Sequence, residues 1–548
     1  MRQAFTIVLF LLTGTFLFTL SGVRATGSKP SAKTVTYSRD VAPVLFRNCA
    51  GCHRPREAAP FSVLTYREVR PWAKSIREKV VKREMPPWSA DPHYGEFVND
   101  ARLSQADIDL IAAWVDGGAK EGSARDLPPA PAFASGWSIG QPDLTLTMPE
   151  EFTLGKEGVD DIMHFRLPVN FAKDQWIQAA ELIPGNKAVV HHAVIFVEPP
   201  QMFEQAKSEA ARRGVTDLNR IPSLFEGGGV PAGTGKTPVV NDACGKNIDM
   251  GFYRFPILCS YLPGRGADEW PAGAAKFVPK GSNLILQMHY NKAAGATATD
   301  RSRVGLRFAA APVGKEVRTL IVINPIFEIP AGADNVEINA CHTSATDVQI
   351  IGFMPHMHLR GQNMKFEALY PGERRETLLQ VNKYDFNWQT FYKLKTPMAL
   401  PKGTRVITTA HFDNSARNKR NPNPAAAVKF GQQTKDEMMV IYVDTMAPVS
   451  VARAAPALKN PADYGGAYGG GGGPEFNVTR EGELLQLVAG GFGKFRMVPA
   501  GADQFTLDGM NATCDFARDD KGAIGELVIK FGSRTFRARK SAAAQGQP

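Results

Sequence analysis

Cys49-Ala50-Gly51-Cys52-His53 confines the start of this chain to a small set of folds. A C-x-x-C-H run sets two thiols one helical turn apart with an imidazole directly behind them. Thioether attachment of a c-type haem needs that arrangement, with the histidine as proximal ligand. A redox dithiol has no use for the adjacent histidine, and a zinc site would call for a second C-x-x-C, which the chain lacks. Met85, in Arg83-Glu84-Met85-Pro86-Pro87-Trp88, is the candidate sixth ligand, because the prolines stiffen the loop that carries it. Ser104 and Asp107 form a capping box that opens a helix through Ile108, Ile111, Ala112 and Val115, ending at Gly117-Gly118.

With those features residues 35–122 resemble a compact α-helical bacterial cytochrome c domain. The N-terminus agrees with export: Arg2 precedes an apolar run from Ala4 to Leu20, and Val23-Arg24-Ala25 offers a cleavage site, so residues 1–25 read as a signal peptide. An uncleaved anchor is the alternative, although the run falls short of the roughly 20 residues a membrane span needs. Export together with C-x-x-C-H indicates the bacterial periplasm, and no later stretch is apolar enough to span a bilayer. The mature chain is expected to be soluble.

The 548 residues imply several domains, and Pro/Gly-rich breaks divide them. Leu127-Pro128-Pro129-Ala130-Pro131 lies in a linker over 123–136, and a Gly-rich linker expected to hold no structure covers 448–475. A formal charge of +10 is modest for this length and its basic residues are scattered, which argues against a nucleic-acid groove. Four of the six cysteines remain after the haem pair. Cys244 and Cys259 share a Gly/Pro-rich stretch, where a loop-closing disulfide is expected; Cys341 and Cys514 have no partner assignable from sequence.

Between the linkers lie short β-branched runs separated by turns: Ala188-Val189-Val190, Val194–Val197, Leu284–Leu286, Thr319–Ile323 and Met439–Val443. They predict two tandem antiparallel β-sandwiches, over 137–305 and 306–447. Five of the ten histidines fall there in three clusters: His191-His192, His289, and His356-Met357-His358. Residues two apart on a strand share a face, so His356 and His358 can close on one metal while Met357 points away. His191 and His192 are adjacent and would diverge on a regular strand, so joint ligation needs a strand end or a local twist. Each cluster alone has a bland reading as surface or core hydrogen-bonders.

Taken in order with Asp436-Glu437-Met438, the clusters resemble the copper type II monooxygenases, the family of peptidylglycine hydroxylating monooxygenase and dopamine β-monooxygenase. The resemblance covers about 137–447. It implies one copper on His191, His192 and His289, a second on His356, His358 and Met438, and a catalytic setting that includes Tyr442. It further implies that dioxygen is activated at the second copper while the first stores an electron. The donor sets suit this: three imidazoles serve a copper cycling between Cu(I) and Cu(II), two imidazoles with a thioether favour Cu(I), and zinc gains little from methionine.

Met354 stands where the peptide-amidating branch has an arginine that holds a peptide carboxylate, so peptide amidation is not expected. The chain has few cysteines and its own haem in place of ascorbate. His411 reads as structural, and His342, beside Cys341, as packed in preference to an accessory metal pair. Residues 476–540 carry evenly spaced strand-like runs and predict a small β-barrel or β-sheet domain for docking or stabilisation. The expectation is a periplasmic dicopper monooxygenase that hydroxylates a small molecule with dioxygen, fed by a periplasmic electron donor. A non-catalytic copper-binding or electron-transfer protein is the alternative; an open cleft at the second copper would favour the enzyme.

Overall fold

A computed structural model describes residues 34–541 apart from 56, 58, 134–135, 158–159, 213–240, 245–254, 293–296, 450–459, 470–474, 482–483, 490–492, 502, 508–511 and 532–533. The expected signal peptide lies outside the described residues. Among those described, no helix is long and apolar enough to cross a membrane.

The N-terminal unit is helical, with helices at Ala42–Asn48, Tyr66–Val69, Ala73–Val81 and Gln105–Asp116. The last begins where Ser104 Oγ accepts the Asp107 N–H at 3.0 Å and stops at Gly117. Its buried stripe is Ile108, Ile111 and Trp114, and the Trp114 indole N–H is satisfied by Lys120 O at 2.9 Å. Residues 88–99 leave this unit and run along the second sandwich. Trp88 packs edge-on to Tyr392, Ala90 bridges Val381, and Phe97 bridges Leu394.

One sheet takes Asp160–Pro168, Asn283–Asn291, Val190–Glu198 and Ile257–Tyr261 in that order. It packs on Leu144–Thr147, Arg303–Phe308, Gln175–Ile183 and Ala274–Val278 around Phe165, Ile177, Ile195 and Leu286. The second sandwich sets Lys315–Ile323, Val440–Pro448, Val348–His356 and Tyr392–Leu400 against Val336–Thr343, Arg405–Phe412, Gly361–Leu369 and Arg375–Val381. Phe353, Phe366, Phe412 and Val443 lie in its core. Arg303–Phe308 pairs with Gln175–Ile183, so the first sandwich runs past the expected boundary at 305. The two halves also share a sheet: Lys315 and Glu316 pair in parallel with Ala274 and Ala275.

Strand alternation then creates a second apolar layer between the halves. On Val190–Glu198, Ala193 and Ile195 face the first core, whereas Val194 and Phe196 face outward. On Val440–Pro448, Ile441 and Val443 face the second core, whereas Val440 and Tyr442 face outward. The outward sets meet, with Leu262, Ile285, Met354 and Met438. Strands buried on both faces read as continuous apolar runs, which is why they were legible without an alternating pattern.

Two expectations are corrected. The disulfide joins Cys244 to Cys341, not to Cys259, with Cα atoms 4.8 Å apart. The chain around Cys244 lies beside the Val336–Thr343 strand, where Asn339 N donates to Asn241 O at 2.7 Å and Ala243 N to Asn339 O at 3.1 Å. Cys259 instead is buried in the first core. Second, structure begins inside the expected glycine linker. Gly466–Gly469 is the first strand of a closed eight-stranded barrel that ends with Arg534–Lys540. Tyr468 plugs the barrel core at 1 % exposure and donates its hydroxyl to Tyr464 O at 2.7 Å.

Candidate metal centre

The centre forms where the outward faces of the two sandwiches meet. On Asn283–Asn291, Leu284, Leu286 and Met288 take the first core, which turns Ile285, Gln287 and His289 toward the second sandwich. Across the ladder His192 pairs with His289, but Val190 pairs with Tyr290. His191 is therefore an extra residue, a β-bulge, and the bulge turns two adjacent side chains to one side. The local twist that joint ligation requires is thus present. His191 Nδ1 and His192 Nδ1 lie 3.2 Å apart, against about 3.3 Å for two nitrogens on one tetrahedral ion at 2.0–2.1 Å bonds. With His289 they bring one ligand atom each within 4.8 Å of one another.

His289 is held from behind. Its Nε2–H donates to Asp160 Oδ2 at 2.7 Å, leaving Nδ1 for a metal. Thr434 of the second sandwich donates to the same carboxylate through its hydroxyl and, at 3.2 Å, its backbone N–H. Burial pushes the Asp160 carboxyl up, but the His289 and Thr434 hydrogen bonds outweigh it and hold the group at about 2. Such an outer partner fixes ring orientation and raises ligand basicity. Asp160→Asn is expected to weaken copper at this cluster about 10- to 100-fold. Competition titration with a copper chelator checks it, and an unchanged affinity would show that Asp160 does not orient His289.

His356 ends its strand and His358 follows it. Met357 between them is fully buried in the second core, and the Tyr384 hydroxyl clamps it, donating to Met357 O at 2.7 Å and accepting its N–H at 3.0 Å. His356 Nδ1–H donates to Gln389 Oε1 at 2.7 Å and His358 Nδ1–H to Asp436 O at 3.2 Å, so both rings keep Nε2 for a metal. Glu437 is the hub: its buried carboxyl accepts N–H groups of His358 at 2.8 Å, Arg360 at 2.6 Å and Met438 at 3.1 Å. Burial pushes that carboxyl up to about 7, against three N–H donors that favour its charged form.

Burial, joined by repulsion from neighbouring imidazoles, lowers His191 to about 3; burial lowers His356 to about 4 and His192 and His358 well below the usual range. These rings are neutral at pH 7, as ligands must be.

The clusters come from different sandwiches, yet they are not apart in space. The His192 and His356 rings are 5.7 Å between centroids, His356 and His358 5.2 Å, and the Phe386 ring lies 4.7 Å from His191 and 5.6 Å from His358. His192, His289, His356, His358, Met438 and Tyr442 line one cavity. Met354 lines it as well, with Arg265 donating to its sulfur at 3.5 Å. His411 lies elsewhere, bonded to Asn363 at 3.0 Å. His342 gains no thiolate neighbour because Cys341 is in the disulfide.

In the helical unit Cys49 and Cys52 are unpaired thiols just past the Ala42–Asn48 helix. His53 Nδ1–H donates to Phe61 O at 3.2 Å, which leaves Nε2 bare. Met85 is half-buried in the turn after Ala73–Val81.

Rat (Rattus norvegicus) dopamine beta-hydroxylase is 22% identical over 295 residues, covering 50% of this chain and 41% of its own. Human (Homo sapiens) putative DBH-like monooxygenase protein 2 is 23% identical over 186 residues, 31% of this chain and 36% of its own. The chain thus spans about two-fifths or less of the length of these relatives. Among solved structures, that of PNGF-II covers 55% of this chain and 65% of its own at 10% identity and a TM-score of 0.26, too low to carry an argument. Residues 316–453 match the C-terminal domain of copper type II ascorbate-dependent monooxygenases, and these relatives extend the similarity to that family over about half of the chain.

Proposed function

We propose that this chain is an exported dicopper monooxygenase that hydroxylates a C–H bond of a small uncharged molecule. The single observation that carries this reading is the pair of imidazole clusters opposed across one cavity. Copper held there, by His191, His192 and His289 on one side and His356, His358 and Met438 on the other, supplies the one-electron chemistry that reduces dioxygen. Each turnover puts one oxygen atom into substrate and the other into water, and consumes two electrons and two protons. Met438 offers a thioether, which favours Cu(I), and Gln389 and Asp436 hold the two rings with Nε2 forward. Val194, Leu262, Met354 and Tyr442 give the cavity an apolar wall, and its described lining carries no Asp, Glu, Lys or Arg. That lining supports an uncharged substrate, and Met354 in place of an arginine supports the expectation against peptide carboxylates.

The helical unit is, in this reading, a cytochrome c domain. Cys49 and Cys52 would hold a haem by thioether bonds and His53 would ligate its iron, with Met85 as the opposite ligand. The haem supplies electron relay from a periplasmic donor. The fit rests on two free thiols and a histidine whose Nδ1 is already committed to Phe61 O. The Cys244–Cys341 disulfide supports an oxidising compartment. The C-terminal barrel is assigned docking or stabilisation.

Met438→His tests enzyme against carrier. A third imidazole keeps metal bound while shifting it toward Cu(II) in a more closed site. The variant is expected to retain two coppers and a reducible haem and to lose substrate-coupled oxygen uptake. Coupled uptake that survives intact would sink the assignment of the oxygen-activating site, and its absence from the parent across a panel of neutral metabolites would favour the carrier.

A further inference from the structure

We infer that the haem-attachment loop is docked on the first sandwich so that electrons reach the three-histidine cluster, through the corner Tyr261–Gly264. This rests on the haem reading above and adds the route. A Cβ built on Gly264 would lie 3.3 Å from Cys52 Sγ, the atom that becomes the haem thioether. Gly264 has φ +81°, so the corner takes a glycine both for its backbone and for the approach of the sulfur. Arg265 N–H closes the turn on Leu262 O at 3.0 Å. Only Leu262 and Pro263 separate Gly264 from Tyr261, and Tyr261 is the cross-strand partner of Ala193, the residue after His192. Tyr261 and Leu262 also line the cavity.

A second contact pins the same loop. Lys187 Nζ donates to both Glu57 oxygens at 2.8 Å. Lys187 lies four residues before His191, and Glu57 four after His53. The attachment loop is therefore fixed at two points to the segments that carry His191 and His192. Residues 88–99, which run along the second sandwich, lie in a different part of the chain. In the step itself one electron leaves ferrous haem and reduces one Cu(II) to Cu(I). An external one-electron donor then re-reduces the ferric haem, and no bond is broken.

The test uses the full haem- and copper-loaded chain without oxygen or substrate. A soluble photoreductant reduces the haem, and its reoxidation is followed together with loss of the Cu(II) resonance. Lys187→Glu and Glu57→Lys are each expected to slow the transfer about tenfold by setting like charges against each other. The double swap, Lys187→Glu with Glu57→Lys, is expected to restore part of the rate, because Arg54, which pairs with Glu57 at 2.9 Å, then faces a like charge. Gly264→Val, which changes no charge, is expected to slow it as well. The haemochrome spectrum is expected to stay unchanged in all four and the haem reduction potential to stay unchanged in Gly264→Val, which a general loss of structure would not allow. Rates indifferent to these changes would overturn the inference and send the electron by the Trp88–Tyr392 side, leaving the proposed function standing. Absence of a haemochrome spectrum from the exported protein would overturn both.

Discussion

Glu437→Ala is expected to empty the His356/His358/Met438 site and to cost the fold about 3 kcal/mol or more. Three buried backbone N–H groups end on this one carboxyl, those of His358, Arg360 and Met438. Each left without an acceptor costs at least ~1 kcal/mol. The loss is also geometric, because those N–H groups belong to two proposed ligands on two separate segments. Copper content is expected to fall from two per chain to one, with the three-histidine cluster still loaded, and the urea midpoint to drop. Glu437→Gln keeps an acceptor oxygen and is expected to recover part of both. Two coppers per chain and an unshifted midpoint in Glu437→Ala would show that the carboxyl does not organise the site.

The second large effect is on acid stability. Burial, aided by neighbouring imidazoles, puts the native values of His191, His192, His356 and His358 far below the ordinary 6.5, with His191 at about 3 and His356 at about 4. Below pH 6.5 the unfolded chain takes up protons that the native chain refuses. Stability therefore rises with pH through this window and falls as pH drops from 6.5 toward 4. Each such group contributes up to ~1.4 kcal/mol per pH unit. Copper-free protein is expected to lose thermal stability steeply between pH 6.5 and 4, and copper-loaded protein to resist, since bound metal stabilises only the folded chain. A flat profile without copper would mean that these rings are solvated.

The proposed ligands were legible because their residue types and order carry the chemistry. What holds them was not. Asp160 and Thr434 act on His289 from 129 and 145 positions away, and no local pattern announces a hydrogen bond across such a separation. Glu437 stood in plain view inside Asp436-Glu437-Met438, yet its acceptor role depends on where His358 and Arg360 bring their N–H groups. The need for a twist at His191-His192 followed from strand parity; that a bulge supplies it depends on the register against His289. The Cys244 pairing failed on sequence proximity, because its neighbours lie along the distant Asn339 strand. The barrel's first strand was missed because glycines around Tyr464 and Tyr468 read as a flexible tether, whereas the two tyrosines close a core.

The parallel pairing of Lys315 and Glu316 with Ala274 and Ala275 sets how this protein can be divided. Separating the halves between Phe308 and Lys315 would bare two strand edges, Ala274–Val278 on one piece and Lys315–Ile323 on the other. Raw edges of this kind invite aggregation. Each piece would also expose the apolar face that carries its imidazoles. The smallest portable unit is therefore both halves together, and transplanting either alone would yield a sticky fragment in place of a one-copper protein.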